Sequence, residues 1–254
     1  NQLVNNQSWT ITDSGVCVGS FADTKSFQFD GVTDYIVPLI TSGLDFSGSF
    51  TLMAWVKTNA IGSNQFIIDT STSVSSGNGY SVRINTDGKI KFWSYAVAGL
   101  VNSTTVLGTN IWYHIACVHD TVAGTNKIYI DGILDNTSSY TFPTASNTTN
   151  LRIGRSNLFA GSFDGFINEV DSLTAFNPLL WLRMGEEATW NGSEFVLDNQ
   201  GSIGGTATSV GILPTNPNPT TDVPLFDNKS FTYDGVSDYV SLSSRTQNFT
   251  DFTI

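Results

Sequence analysis

The stretch Ser26-Phe-Gln-Phe-Asp-Gly-Val-Thr-Asp-Tyr35 occurs a second time as Ser230-Phe-Thr-Tyr-Asp-Gly-Val-Ser-Asp-Tyr239. Ser, Phe, Asp, Gly, Val, Asp and Tyr are identical, and the pairs Gln28/Thr232, Phe29/Tyr233 and Thr33/Ser237 keep their chemical character. Upstream, Asp23 and Lys25 answer Asp227 and Lys229; downstream, Phe46 and Phe50-Thr-Leu52 answer Phe249 and Phe252-Thr-Ile254. A period this long points to duplicated domains rather than solenoid units of ~20–50 residues. The second copy stops at Ile254, inside an expected strand. We therefore expect a first domain over residues 1–176 and the first part of a second over 177–254, as a window on a longer repeated chain. A permuted arrangement, in which Leu180–Glu186 completes the first copy, is the alternative.

Composition narrows the class. Only 13% of the 254 residues are charged and the net charge is −11, which argues against nucleic-acid backbones as partners, since these require clustered Lys and Arg. Asp outnumbers Glu by 18 to 4. Abundant Ser, Thr, Asn and Gly suit strands joined by polar turns and disfavour helices. No apolar run reaches the ~18 residues of a membrane-spanning helix. Two cysteines, Cys17 and Cys117, fix neither a pairing nor a compartment; Cys117 lies in an apolar strand, where an inert buried thiol is the default.

Strand patterns are dense. Lys25–Phe29 and Tyr35–Leu39 flank Asp30-Gly-Val-Thr-Asp34 and read as a hairpin. Phe50–Lys57, apolar on both faces, reads as a central strand. Tyr80–Ile84 and Lys89–Tyr95 are joined by Asn85-Thr-Asp-Gly88, whose Asp-Gly accepts the positive φ of a tight turn. Ile111–Asp120 with Asn126–Ile130, then Ile133–Asp135, Leu151–Arg155 and Phe163–Asp171, continue the pattern. Short strands with turns every 8–12 residues indicate an all-β sandwich or barrel.

In this order, Ser26–Ile36, Phe50–Lys57, Gly88–Phe92, Trp112-Tyr-His-Ile-Ala116, Lys127-Ile-Tyr-Ile-Asp-Gly132, Ile153-Gly154 and Phe163-Asp-Gly-Phe-Ile-Asn-Glu-Val170 resemble the concanavalin A-like, laminin G-like domains. Leu180–Glu186, Leu197-Asp-Asn-Gln-Gly201 and Thr206-Ala207 resemble that family's opening strand and following loop. The resemblance implies an antiparallel jelly-roll β-sandwich. It also implies a binding or adhesive role, often toward carbohydrate, in extracellular and virion-surface proteins. Fold alone does not decide function.

The residues argue against catalysis. Laminarinase-type relatives carry Glu-x-Asp-x-x-Glu on one strand, a pair of carboxylates acting as nucleophile and acid. Glu169-Val-Asp171 begins that pattern, but Thr174 stands at the second Glu. Gly15-Val-Cys-Val-Gly19 mimics a nucleophile elbow, yet strand signals rather than a helix follow it. His114 and His119 are five apart on one strand and so point to opposite faces, which denies them a shared metal. The resemblance implies a structural Ca²⁺ near the turn and the loop after the first strand. Its ligands would be Asp30 and Asp34 in copy one, and Asp198, Asn199, Asp234 and Asp238 in copy two. The alternative is that Asp30 and Asp34 bond their own turn.

Aromatic placement gives the ligand candidate. Ile90 and Phe92 fall on one face, leaving Lys91, Trp93 and Tyr95 on the other. That face suits a sugar ring stacked on the indole; packing under the loop Ala96–Leu107, or against a neighbouring domain, are alternatives. The expectation is a non-enzymatic module in a secreted, cell-surface or virion-surface protein, such as a phage fibre or bacterial adhesin. Its partners would be a glycan or surface receptor and neighbouring domains or subunits. A purely structural spacer is the second reading and a glycoside-acting enzyme the third.

Overall fold

The computed structural model describes residues 25–39, 48–70, 79–94, 100–139, 151–174, 177–186, 188–214 and 218–224. Cys17, Tyr95, Asp234, Asp238 and the second copy of the repeated stretch lie outside them. Residues Asp23–Pro224 form one compact unit; a further unit, residues 1–22 with 225–254, falls outside the described residues.

The described residues form strands and no helix, so none is a helix long and apolar enough to cross a membrane. In chain order the strands are β1 (Phe27–Asp30), β2 (Tyr35–Pro38), β3 (Phe50–Thr58), β4 (Gln65–Asp69), β5 (Tyr80–Ile84), β6 (Lys89–Ser94), β7 (Leu100–Val106) and β8 (Tyr113–Asp120). They continue as β9 (Thr125–Ile130), β10 (Ile133–Ser138), β11 (Arg152–Ile153), β12 (Asp164–Thr174), β13 (Asn177–Leu182), β14 (Thr189–Trp190), β15 (Phe195–Asp198) and β16 (Thr206–Val210). One sheet has seven strands, in the order β1-β12-β3-β8-β9-β10 with β13 also on β12. The other has nine, in the order β14-β15-β16-β2-β11-β4-β5-β6-β7. The two antiparallel sheets make a jelly-roll β-sandwich.

Alternation explains the packing. Along β3, Phe50, Leu52, Ala54 and Val56 are buried while Thr51, Met53, Trp55 and Lys57 are half-buried. The inward set meets the inward residues of the opposite sheet: the Phe50 ring lies 5.3 Å from Tyr80 and 6.2 Å from Phe92. Phe27 and Phe195 do the same at 5.3 Å near the other edge. Cys117 is a fully buried free thiol, its pKa pushed up by desolvation.

Two features depart from the sequence reading. The stretch around Asp30–Asp34 is not a hairpin: β1 pairs with β12 in one sheet, whereas β2 pairs with β11 and β16 in the other. The turn carries the chain across the sandwich. Asp30 makes this possible, because its Oδ1 accepts the backbone N–H groups of Val32, Thr33 and Asp34 at 2.7–3.1 Å. Those donors need no ladder partner. Gly31 takes φ +75° there, and a Cβ would stand 2.9 Å from that of Asp164.

The second departure concerns the boundary expected near Asn177. β13 pairs with β12 through Val170–Leu182, and β16 pairs with β2 through Val210–Tyr35. Residues 177–210 thus add strands to both sheets of the sandwich built by residues 25–174, the permuted arrangement weighed above. Leu180, Leu182, Phe195, Leu197 and Ala207 enter the same core. Asn199 ties the addition together: its Oδ1 accepts from the N–H groups of Trp181 and Gly201, both at 2.8 Å, and its amide donates to Gly204 O at 2.7 Å.

Leu182→Ala should therefore destabilise the sandwich by about 2–5 kcal/mol, the cost of emptying a fully buried leucine site. Hydrogen exchange followed by mass spectrometry should rise in β2 and β12 as well as in β13. Acceleration limited to residues 177–210 would indicate separate units.

Candidate functional site

The outward face of β4, β5 and β6 holds the side chains selected from sequence. Register places them in two cross-strand rows. Arg152, Asp69, Ser81 and Trp93 follow each other across β11, β4, β5 and β6. Phe66, Arg83, Lys91 and Asn102 do so across β4, β5, β6 and β7. At roughly 4.8 Å per strand each row spans about 14 Å. β7 is a strand that the sequence reading left as a loop.

An outward sheet face is ordinarily polar and wet. This one is polar in composition but largely buried, with Asp69 and Ser81 at 0% exposure. Phe66 is fully buried, its ring stacked with Phe159 at 6.3 Å and 10°. Phe159 also lies 6.2 Å from half-buried Trp93. Trp93 therefore packs against the segment after β11. Cations surround the rings. The Arg83 guanidinium sits 5.3 Å from both the Phe66 and Trp93 centroids, and Lys91 Nζ lies 4.8 Å from that of Trp93. At the far end of the face Arg152 lies 4.6 Å and Arg155 5.6 Å from the Tyr35 ring. Such cation–π contacts contribute about 0.5–2 kcal/mol each.

Polar groups on this face are left over. Ser81, 0% exposed, has an Oγ without a hydrogen-bond partner, and so does Asn102 Oδ1. A buried polar atom left unmatched costs about 1–3 kcal/mol and calls for an explanation. Burial is the main cause that lowers the Lys91 pKa, repulsion by Arg83 is the second, and Asp87 opposes them. Among the described residues no carboxylate forms a salt bridge with Lys91, Arg152 or Arg155.

The opposite sheet carries a second aromatic face that the sequence reading missed. Asn168, Trp55 and His114 align across β12, β3 and β8, with the Trp55 and His114 rings 5.2 Å apart. Glu169 sits at a bulge in β12 with φ +45°. Its carboxylate accepts from Trp181 Nε1 at 2.5 Å and pairs with Arg183 at 3.3 Å. Lys57 likewise pairs with Asp222, which also accepts from Trp112 Nε1 at 3.1 Å. These charges are neutralised inside the fold. His119 points inward, buried against Phe50 and bonded to Asn126 at 2.7 Å.

Of the residues implied for calcium, Asp30, Asp34, Asp198 and Asn199 are described. Both Asp30 oxygens accept hydrogen bonds within their own turn, Oδ2 from Thr33 Oγ1 at 2.8 Å. Asp34 Oδ2 accepts from the Asp30 N–H at 3.0 Å. Asp198 pairs with Thr206, at the end of β16 remote from Val210 and Tyr35, and so lies away from Asp34. The Asn199 amide is consumed by its loop. Asp30 and Asp34 thus support their own turn and Asn199 its loop, while Asp234 and Asp238, the expected companions of Asp198 and Asn199, lie outside the described residues.

The family model for the concanavalin A-like lectin/glucanases superfamily matches residues 30–174. Among solved structures, a Bacteroides ovatus protein provisionally assigned to carbohydrate binding superposes with TM-score 0.57 at 22% identity, over 74% of this chain and 58% of its own. Domains LG4-5 of the mouse laminin α1 chain give 0.47 at 14%, over 60% of this chain and 41% of theirs. The CBM40 module of a Ruminococcus gnavus sialidase gives 0.47 at 12%, over 59% and 92%. This chain spans less than two thirds of the Bacteroides ovatus protein. No curated protein is detectably similar in sequence.

Burial, reinforced by the charge of Asp30, raises the Asp34 pKa to about 6 from its ordinary 3.8. The charged form is disfavoured in the fold, so this group's contribution falls as pH rises from about 4 through 6. Asp34→Asn should raise the thermal midpoint relative to wild type at pH 7.5, and the gain should vanish near pH 4. A gain that is equal at both pH values would refute the assignment.

Proposed function

The chain belongs to the concanavalin A-like lectin/glucanases superfamily, and on that premise we propose that it is a glycan-binding module whose ligand face is the outward side of β4, β5 and β6. The observation that carries this reading is half-buried Trp93 with its flanking cations Arg83 and Lys91. An indole offers an apolar surface to the C–H face of a pyranose, and convergent polar groups fix its hydroxyls. The fold shared with the Bacteroides ovatus protein accords with it.

Catalysis has no place in this reading. Glu169 is committed to Trp181 and Arg183, and Thr174 stands where a second carboxylate is needed. The module serves adhesion at an extracellular, cell or virion surface, and the duplicated stretch at Ser26–Tyr35 and Ser230–Tyr239 accords with a repeated adhesive protein. The competing reading, a spacer, draws on the Phe159–Trp93 contact, which gives Trp93 a packing role.

Trp93→Ala should abolish binding on a glycan array while a circular-dichroism spectrum stays that of a folded β-protein. Unchanged array binding by the folded variant would remove the face from the function.

A further inference from the structure

β1 is the first strand of the seven-stranded sheet, so one row of its backbone groups faces away from β12. A bare row of this kind is costly and invites pairing. Residues 218–224 fill it. Ser26 and Thr220 exchange both backbone hydrogen bonds at 2.9 Å. Two residues along, the Asn218 side chain imitates a further strand residue. Its Oδ1 accepts the Gln28 N–H at 2.8 Å and its Nδ2 donates to Gln28 O at 3.2 Å. Pro219 lies against Gly185, whose φ is +95° and where a Cβ would stand 2.8 Å from that of Pro219. Glycine therefore makes a notch for the proline.

The segment ends in a cage. The Asp222 carboxylate forms an ion pair with Lys57 and accepts from Trp112 Nε1 at 3.1 Å. Lys57 Nζ lies 4.6 Å from the Phe166 centroid and 5.8 Å from that of Trp112, and the two rings are 6.3 Å apart. The Lys57 side chain is only 13% exposed, whereas that of Asp222 is 37% exposed. An ammonium held so deep is costly without a counter-charge. The cage therefore demands a carboxylate, and the open flank of Asp222 leaves it within reach of solvent.

Main-chain pairing along a sheet edge, with a pocket for one side chain, is how extended peptides are recognised by strand addition. Here the peptide reads Asn218-Pro-Thr-Thr-Asp222, and the chain supplies it itself. These residues close the compact unit Asp23–Pro224, and none of its strands lies in them. They can leave the groove without unpairing β13 to β16. A second copy of the chain carries the same segment and the same groove, so exchange between copies recreates every contact. Such exchange is a low-cost route to association.

We propose that the β1 edge with its Lys57 cage is a docking groove for an extended Asn-Pro-x-x-Asp segment, and that a second copy of this chain supplies that segment, so that copies link by exchanging residues 218–224.

The test is complementation. Asp222→Asn spoils the segment and leaves the groove; Lys57→Gln spoils the groove and leaves the segment. Neither variant alone can form the ion pair in any arrangement, but a mixture regains one in each exchanged pair. Analytical ultracentrifugation of the mixture should show about tenfold more dimer than either variant alone at the same total concentration. Fluorescence anisotropy with a labelled peptide spanning residues 218–224 gives a second measurement on the Asp222→Asn chain, and it still decides if Lys57→Gln fails to fold. The peptide should bind about tenfold more tightly than its own Asp222→Asn counterpart, since only the carboxylate makes a charge-assisted bond. Monomers throughout the mixture of folded variants would overturn the exchange between copies. A peptide that binds equally with either residue, or does not bind, would overturn the groove.

Discussion

The structure depends on how residues 177–210 close both sheets at once. β13 covers the outer edge of β12 in one sheet, and β16 covers β2 in the other. Without these strands, β2 would present unpaired backbone groups, and Pro38, Phe27 and Val170 would lose the apolar partners Ala207, Phe195 and Leu182. Bare strand edges and open cores are unstable in water. Asn199 joins the two attachments, since one amide satisfies backbone groups of β13 and of the loop after β15.

Much of this was legible in the sequence. Tyr80–Ile84 was delimited to the residue, because alternation and the Asp87-Gly88 turn leave little choice. Pairing was less legible. The stretch between β1 and β2 has every local sign of a hairpin, but Asp30 satisfies the turn's donors by itself and frees the two strands for different sheets. Local patterns report period and turns; they do not report which distant edge a strand will meet. β7 was missed because Asn102, Ser103, Thr104 and Thr105 read as loop polarity, although Thr suits a strand.

The candidate site was legible in part. Alternation placed Lys91 and Trp93 on one face, and the structure agrees. It could not reveal Arg83, Phe66, Ser81 or Phe159, which reach that face only through cross-strand register and through the segment after β11. Nor could it reveal that Trp55 and His114 meet on the opposite sheet. What separates the two faces is charge: among the described residues one pairs Lys57 and Arg183 with carboxylates, whereas the other holds Lys91 and Arg152 against aromatic rings with no carboxylate salt bridge.

That contrast makes the location of binding the most direct test of the account. Two-dimensional ¹H–¹⁵N NMR of the folded chain, titrated with the oligosaccharide that binds most strongly on the array, reads it residue by residue. The account predicts that the Trp93 indole N–H and the Ser81 and Lys91 amides shift together along one saturable curve. Shifts centred on Trp55, His114 and Trp181, with Trp93 unmoved, would contradict it.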